Sequence, residues 1–135
     1  MEKVWITMSV CWSSNAKVHG KQNFPYTKAV FFSSQLWMKF TPAKVILQVV
    51  YSENEISNEL KKYKTELENL GVIVYLVETG SGIKCVLKSQ LIRILAYLLP
   101  FIKSNDIIVT ADVDAFIMSL DIYKPFQLSK VKSFK

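Results

Sequence analysis

Cysteine, histidine and glycine are all scarce in this chain of 135 residues, which holds two Cys, one His and four Gly. Cys11 and Cys85 stand alone, without CxxC spacing, and so make neither a disulfide framework nor a zinc site. Both fall in or beside apolar segments and are expected to be small buried hydrophobes. The single His19 lies in a polar stretch and is expected in a surface loop, not in a metal site. With so few glycines there is no GxxxxGK[ST] phosphate loop. The one GxG, at 80 to 82, fails the dinucleotide fingerprint because Cys85 occupies the third glycine position and the loop follows the third strand.

Long apolar runs are missing as well. The longest candidate, "IKCVLKSQLIRILAYLLPFI", is broken by Lys84, Lys88, Arg93 and Pro100, so no membrane span is expected. The apolar opening "VWITMSVCW" is short and lacks both a basic leader and a small-residue cleavage site, so it does not read as an export signal. These features predict a soluble chain.

Charge is abundant but uneven. The net charge of +6 comes from residues 1–50, with six Lys against one Glu, and residues 121–135, with four Lys against one Asp. The middle of the chain has seven basic and nine acidic residues. A basic surface suits phosphate-bearing partners, yet the lysines are scattered instead of clustered, which argues against a nucleic-acid partner. Half the residues are hydrophobic, enough for a globular core.

Strand-like and helix-like patterns alternate along the chain. "KVWITMSV" opens as a strand rich in Val, Ile, Thr and Trp. After a polar loop, residues 27 to 40 place Val30, Phe31, Leu36, Trp37 and Phe40 on one helical face, ended by Thr41 and Pro42. "KVILQVVYS" is a second strand. The segment "SENEISNELKKYKTELENLG" predicts a helix with a capping box at Ser52 and Glu55 and a left-handed cap at Gly71. Its buried stripe is Ile56, Leu60, Tyr63, Leu67 and Leu70. "VIVYLV" follows as a third strand, then a helix from about 83 to 99 stopped by Pro100, then the strand "DIIVTA". Such alternation predicts an α/β fold with an open, Rossmann-like, mostly parallel sheet and helices on both faces. Residues 1–126 are expected to form the α/β domain and 127–135 a basic tail.

The chemistry concentrates at "IIVTADVDAFIM", where an apolar strand ends in Asp112 and Asp114. Unpaired buried carboxylates are costly, so a cation, a basic side chain or water must compensate them. Open α/β sheets bind ligands beyond the carboxyl ends of their strands. In an extended segment, residues two apart point to the same side, so both acids are expected to converge on one cation. Hard ions such as Mg²⁺ or Mn²⁺ take one or two carboxylates together with phosphate oxygens. The plainer alternative is an exposed turn whose aspartates bond to nearby amides.

Residues 87 to 118, "LKSQLIRILAYLLPFIKSNDIIVTADVDAFIM", carry a resemblance. They look like the N-terminal, nucleotide-binding part of nucleotide-diphospho-sugar transferases of the GT-A fold, and the element order matches over about residues 3 to 126. The resemblance implies a glycosyltransferase-like domain that holds Mn²⁺ or Mg²⁺ and a nucleotide sugar, UDP-sugar foremost, for transfer to an acceptor hydroxyl. It makes Asp114 the direct metal ligand and Asp112 a ribose or metal contact. It turns Arg93 toward the nucleotide, where guanidinium suits oxyanions; the alternatives for Arg93 are a solvent-facing position or an ion pair with Asp112. Ser9 and Ser13, near the end of the first strand, are the implied base contacts, with Trp12 either stacking on the base or in the core. Lys88 is a further candidate for the same region. Family analogy places such a protein in the Golgi or secretory pathway.

Family members continue well beyond the DxD pair, through acceptor-binding elements and often a histidine ligand, whereas 21 residues follow Asp114 here. The expectation is therefore a donor-binding portion that other elements complete. Two rival readings stand beside it. One is an inactive fragment or interaction module. The other is a haloacid-dehalogenase-like phosphohydrolase, whose DxD sits near the N-terminus and is followed by Thr or Val where this chain has Phe116.

Overall fold

The computed structural model describes residues 3–12, 26–52, 57–79, 84–114 and 116. Among these described residues four strands and three α-helices alternate: β1 (Val4–Trp12), α1 (Tyr26–Phe40), β2 (Lys44–Tyr51), α2 (Asn58–Asn69), β3 (Ile73–Glu78), α3 (Cys85–Ile92) and β4 (Ile107–Thr110). A 3-10 segment, Arg93–Leu98, continues directly from α3. The strands form one parallel sheet in the order β3-β2-β1-β4, so the expected α/β architecture holds.

The two faces of the sheet differ in chemistry. Ile6, Met8 and Val10 of β1, with Val45, Leu47 and Val49 of β2 and Val74 of β3, join Val30 and Trp37 of α1 and Leu60, Tyr63 and Leu67 of α2 in one apolar core. Alternate residues of the same strands point the other way. On that side lie Trp5, Thr7, Ser9 and Cys11 of β1 and Ile46, Gln48 and Val50 of β2, with α3 packed over them through Ser89 and Cys85. β2 is buried on both faces, as its almost continuously apolar run requires.

The start of α2 differs from the sequence pattern. The N-cap of α2 is Ser57, whose hydroxyl accepts from the Leu60 amide at 3.2 Å, and not Ser52, which lies outside the helix. Ser57 presents the same small oxygen acceptor five residues closer to the buried stripe, and packing of Leu60, Tyr63 and Leu67 sets the start. Leu70 is exposed because it is the C-cap, past the last helical turn. Glu55 and Ile56 lie outside the described residues. The C-terminus of α2 follows expectation: Gly71 has φ +100°, its amide reaches Glu68 O at 3.0 Å, and Val72 N reaches Leu67 O at 3.1 Å. Those two bonds make a Schellman motif.

The third helix is not continuous. α3 keeps eight residues and then tightens into the 3-10 turn from Arg93, with Leu99 already extended at ψ 139° ahead of Pro100. Proline disfavours helical geometry in the residue before it, and 3-10 winding is a common way for a helix to end. The proposed tail at 127–135, and the boundary before it, fall outside the described residues.

Candidate functional site at the carboxyl edge

β1, β2 and β3 follow one another outward, after which the chain returns to lay β4 on the other side of β1. The direction of winding therefore reverses between β1 and β4. In a parallel sheet this is where a crevice opens at the carboxyl ends of the strands. The register aligns Thr7 with Thr110, so Ser9, Cys11 and Asp112 belong to that same end.

Asp112 follows β4 by two residues and Asp114 by four. Ala111 continues the ladder by donating its amide to Thr7 O at 2.9 Å. Val113 is buried and begins a turn with Asp114, so the alternation of an extended strand stops at this point. Both aspartates are exposed. Burying Val113 under the core while the acids face solvent resolves the cost of two carboxylates after an apolar strand.

Arg93, the first residue of the 3-10 segment, reaches this turn. Its Nη1 donates to Asp112 Oδ1 at 2.5 Å and to the Ala111 carbonyl at 3.1 Å. The Arg93 side chain is 25% exposed and that of Asp112 65% exposed. Charge-assisted hydrogen bonding of this kind is about twice as strong as its neutral counterpart, though exposure to water weakens its Coulomb component. Of the readings open for Arg93, the structure shows the ion pair with Asp112, which fixes that carboxylate and leaves Asp114 beside it as one full charge.

Other residues expected at the site lie elsewhere or are otherwise engaged. Ser9 donates its hydroxyl to the Ser89 carbonyl and so ties β1 to α3. Lys88 donates from Nζ to the Glu78 carbonyl at 2.5 Å, at the end of β3. That strand is three positions from β4 across the sheet, roughly 14 Å at ordinary strand spacing. Trp12 packs on Tyr63 with ring centroids 4.9 Å apart, and Tyr63 in turn meets Phe31 edge-on at 5.5 Å. Trp12 is thus part of the aromatic rim of the core. Ser13 and His19 fall outside the described residues.

The cysteines correct the sequence reading outright. Cys11 and Cys85 are bonded to each other as a disulfide, with Cα atoms 5.7 Å apart across 74 residues of sequence. Each is half-buried. Cys11 stands near the carboxyl end of β1 and Cys85 opens α3; strand order, which residue spacing does not reveal, brings them together. A signal was available all the same: the two cysteines fall where the chain reaches the carboxyl edge of a parallel sheet, at the end of its first strand and after its third.

Two further features frame the edge. A cavity of about 410 Å³ bounded by Tyr97, Ile102, Lys103, Ser104, Asp106 and Ile108 opens by the amino end of β4, away from Asp112. Among the described residues no group of three or more His, Cys, Asp and Glu comes together. Among the described residues, then, a metal at Asp112 and Asp114 would meet no third carboxylate, histidine or cysteine, which leaves positions for phosphate oxygens and water. That donor set, two exposed carboxylates at a strand end, suits Mg²⁺ or Mn²⁺ bound with a diphosphate and not a cation caged by protein alone.

No described helix is long and apolar enough to cross a membrane. The chain matches no protein-family model and no curated protein.

Proposed function

We propose that the carboxyl edge between β1 and β4 is the donor site of a sugar-nucleotide transferase, binding a nucleoside diphosphate sugar, UDP-sugar foremost, with Mn²⁺ or Mg²⁺. The observation that carries this reading is the placing of Asp112 and Asp114 directly after β4, with Arg93 beside them, at the switch point of a parallel sheet. An arginine and an acid pair side by side offer a diphosphate what it needs: a fixed cation for its oxygens and carboxylates for its metal.

In this reading Asp114 is the direct metal ligand. Asp112, held by Arg93, orients toward the ribose or reaches the metal. Arg93 has further N–H donors for phosphate oxygens beyond those given to Asp112 and Ala111. The bound cation would supply charge neutralisation for the departing nucleoside diphosphate, and an acceptor hydroxyl would attack the anomeric carbon. The Cys11–Cys85 bond favours an oxidising compartment, consistent with the secretory pathway.

Calorimetric titration of UDP into the chain, with and without Mn²⁺, tests the site. Metal-dependent binding is expected, and Asp114→Ala should weaken it by at least the ~tenfold that even an outer-shell metal partner costs. Equal binding by wild type and variant would remove Asp114 from the site. Phosphate release from a simple phosphoester, lost in Asp112→Asn, would favour the hydrolase reading instead. An absence of UDP binding in both proteins, with or without metal, would favour an interaction module.

A further inference from the structure

α3 is held to the sheet in an unusual manner. Ser89 is its buried residue, while Leu87 and Leu91 are 50% and 54% exposed. Just beyond it Ile94, Leu95 and Leu98 are exposed as well. The sheet surface beneath is mixed, with polar Thr7, Ser9 and Gln48 among Trp5, Ile46 and Val50, where the opposite face is apolar. Thr7 and Gln48 are buried there, and neither Thr7 Oγ1 nor Gln48 Oε1 has a hydrogen-bond partner. A helix normally docks by burying an apolar stripe, and this one buries little. Its attachments are instead specific: the Cys11–Cys85 bond at its first residue, the Ser9–Ser89 hydrogen bond one turn later, and Arg93 on Asp112 and Ala111 where it ends.

We infer that the Cys11–Cys85 disulfide is a redox latch on α3, and that its reduction releases the helix and with it the Arg93–Asp112 pair. The chemistry balances with a dithiol as reductant. One thiolate attacks a cysteine sulfur to form a mixed disulfide and expel the other cysteine as thiolate; the second thiolate closes the reductant's own disulfide and expels the first cysteine. Two electrons pass to the protein, and Cys11 and Cys85 leave as thiols. Both cysteines are half-buried, which leaves the bond within reach of a small thiol. The consequence for ligand binding rests on the donor-site reading, whereas the release of α3 does not.

Hydrogen exchange on the whole chain, oxidised and after dithiothreitol, distinguishes the two. Amides of residues 89–92 should exchange at least ~tenfold faster on reduction, through an opening insensitive to low urea, while those of β2 still exchange only through urea-sensitive global unfolding, the pattern of a local opening. Cys11→Ser with Cys85→Ser should reproduce the reduced state without reductant, and then be indifferent to it. Ser9→Ala should enlarge the response, since it removes the next attachment. In parallel, Mn²⁺-dependent UDP binding should weaken on reduction in the wild type and not in the double variant. Unchanged exchange in α3 would overturn the latch. Exchange of α3 and β2 through one common, urea-sensitive opening in the reduced protein would also overturn it, because the bond would then support the whole sheet. Faster α3 exchange in a protein that binds no UDP in either state would leave the latch standing and defeat the donor site.

Discussion

Asp106 gathers three donors at the amino end of the sheet. Its Oδ2 accepts from the Lys103 amide at 2.9 Å and from Trp5 Nε1 at 3.0 Å, and its Oδ1 accepts from the Lys3 amide at 3.2 Å. These bonds favour the charged carboxylate, the Lys103 amide most and the Trp5 indole next, and hold its pKa below the ordinary value of 3.8. A group whose pKa is lower in the folded state stabilises the fold above its unfolded pKa and loses that contribution as pH falls through its folded value. The expected outcome is that the melting temperature of wild type falls more steeply than that of Asp106→Asn as pH drops below about 4, with the gap between them closing. Thermal melts across that range check it. Tyr63 shows the opposite case. Burial pushes its phenol well above the ordinary range, and it donates to the Thr27 carbonyl at 2.7 Å, so it remains neutral and binds α2 to α1.

At the scale of elements, the two ends of α2 offer a clean comparison. Ser57 caps the N-terminus through one side-chain bond, and Ser57→Ala should lower the unfolding free energy by about 1 kcal/mol. Gly71 closes the C-terminus at φ +100°, where a Cβ would sit 3.6 Å from Met38 Sδ. That is ordinary van der Waals contact, so space is not the obstacle. The penalty for Gly71→Ala comes from the backbone alone and should be about 1–2 kcal/mol. Urea unfolding of both variants, and of the double variant, would measure the two terms; their separation along the helix predicts near additivity. The same elements show how far a pattern reaches. The stripe of Leu60, Tyr63 and Leu67 and the glycine cap were legible because they depend on neighbours three and four residues apart. Ser52 with Glu55 had the same local grammar as a true cap, yet the helix begins at Ser57, where the stripe meets the core.

For the molecule as a whole, the disulfide closes a long loop. Bridging 74 residues removes conformational freedom from the unfolded chain, about 4 kcal/mol in the chain-entropy account. Urea unfolding with and without reductant should show a loss approaching that figure, and a loss below about 1 kcal/mol would mean that the reduced chain keeps much of the constraint through residual structure. The bond also crosses from the central strand to the helix that carries Arg93, which couples the stability of the fold to the geometry of its carboxyl edge.

The sequence by itself determined the α/β class, the alternation of elements, the apolar core stripe of α2 and the placing of Asp112 and Asp114 after a strand. All of these follow from periodicity and local propensity, which are short-range. Tertiary structure alone decided the strand order, and with it which side chains meet: Arg93 with Asp112, Ser9 with Ser89, Cys11 with Cys85, and Lys88 with the far edge of the sheet. Pairings across 19, 74 or 80 residues depend on where each crossover returns the chain. Burial of the whole sheet selects that path, and no window of neighbouring residues encodes it.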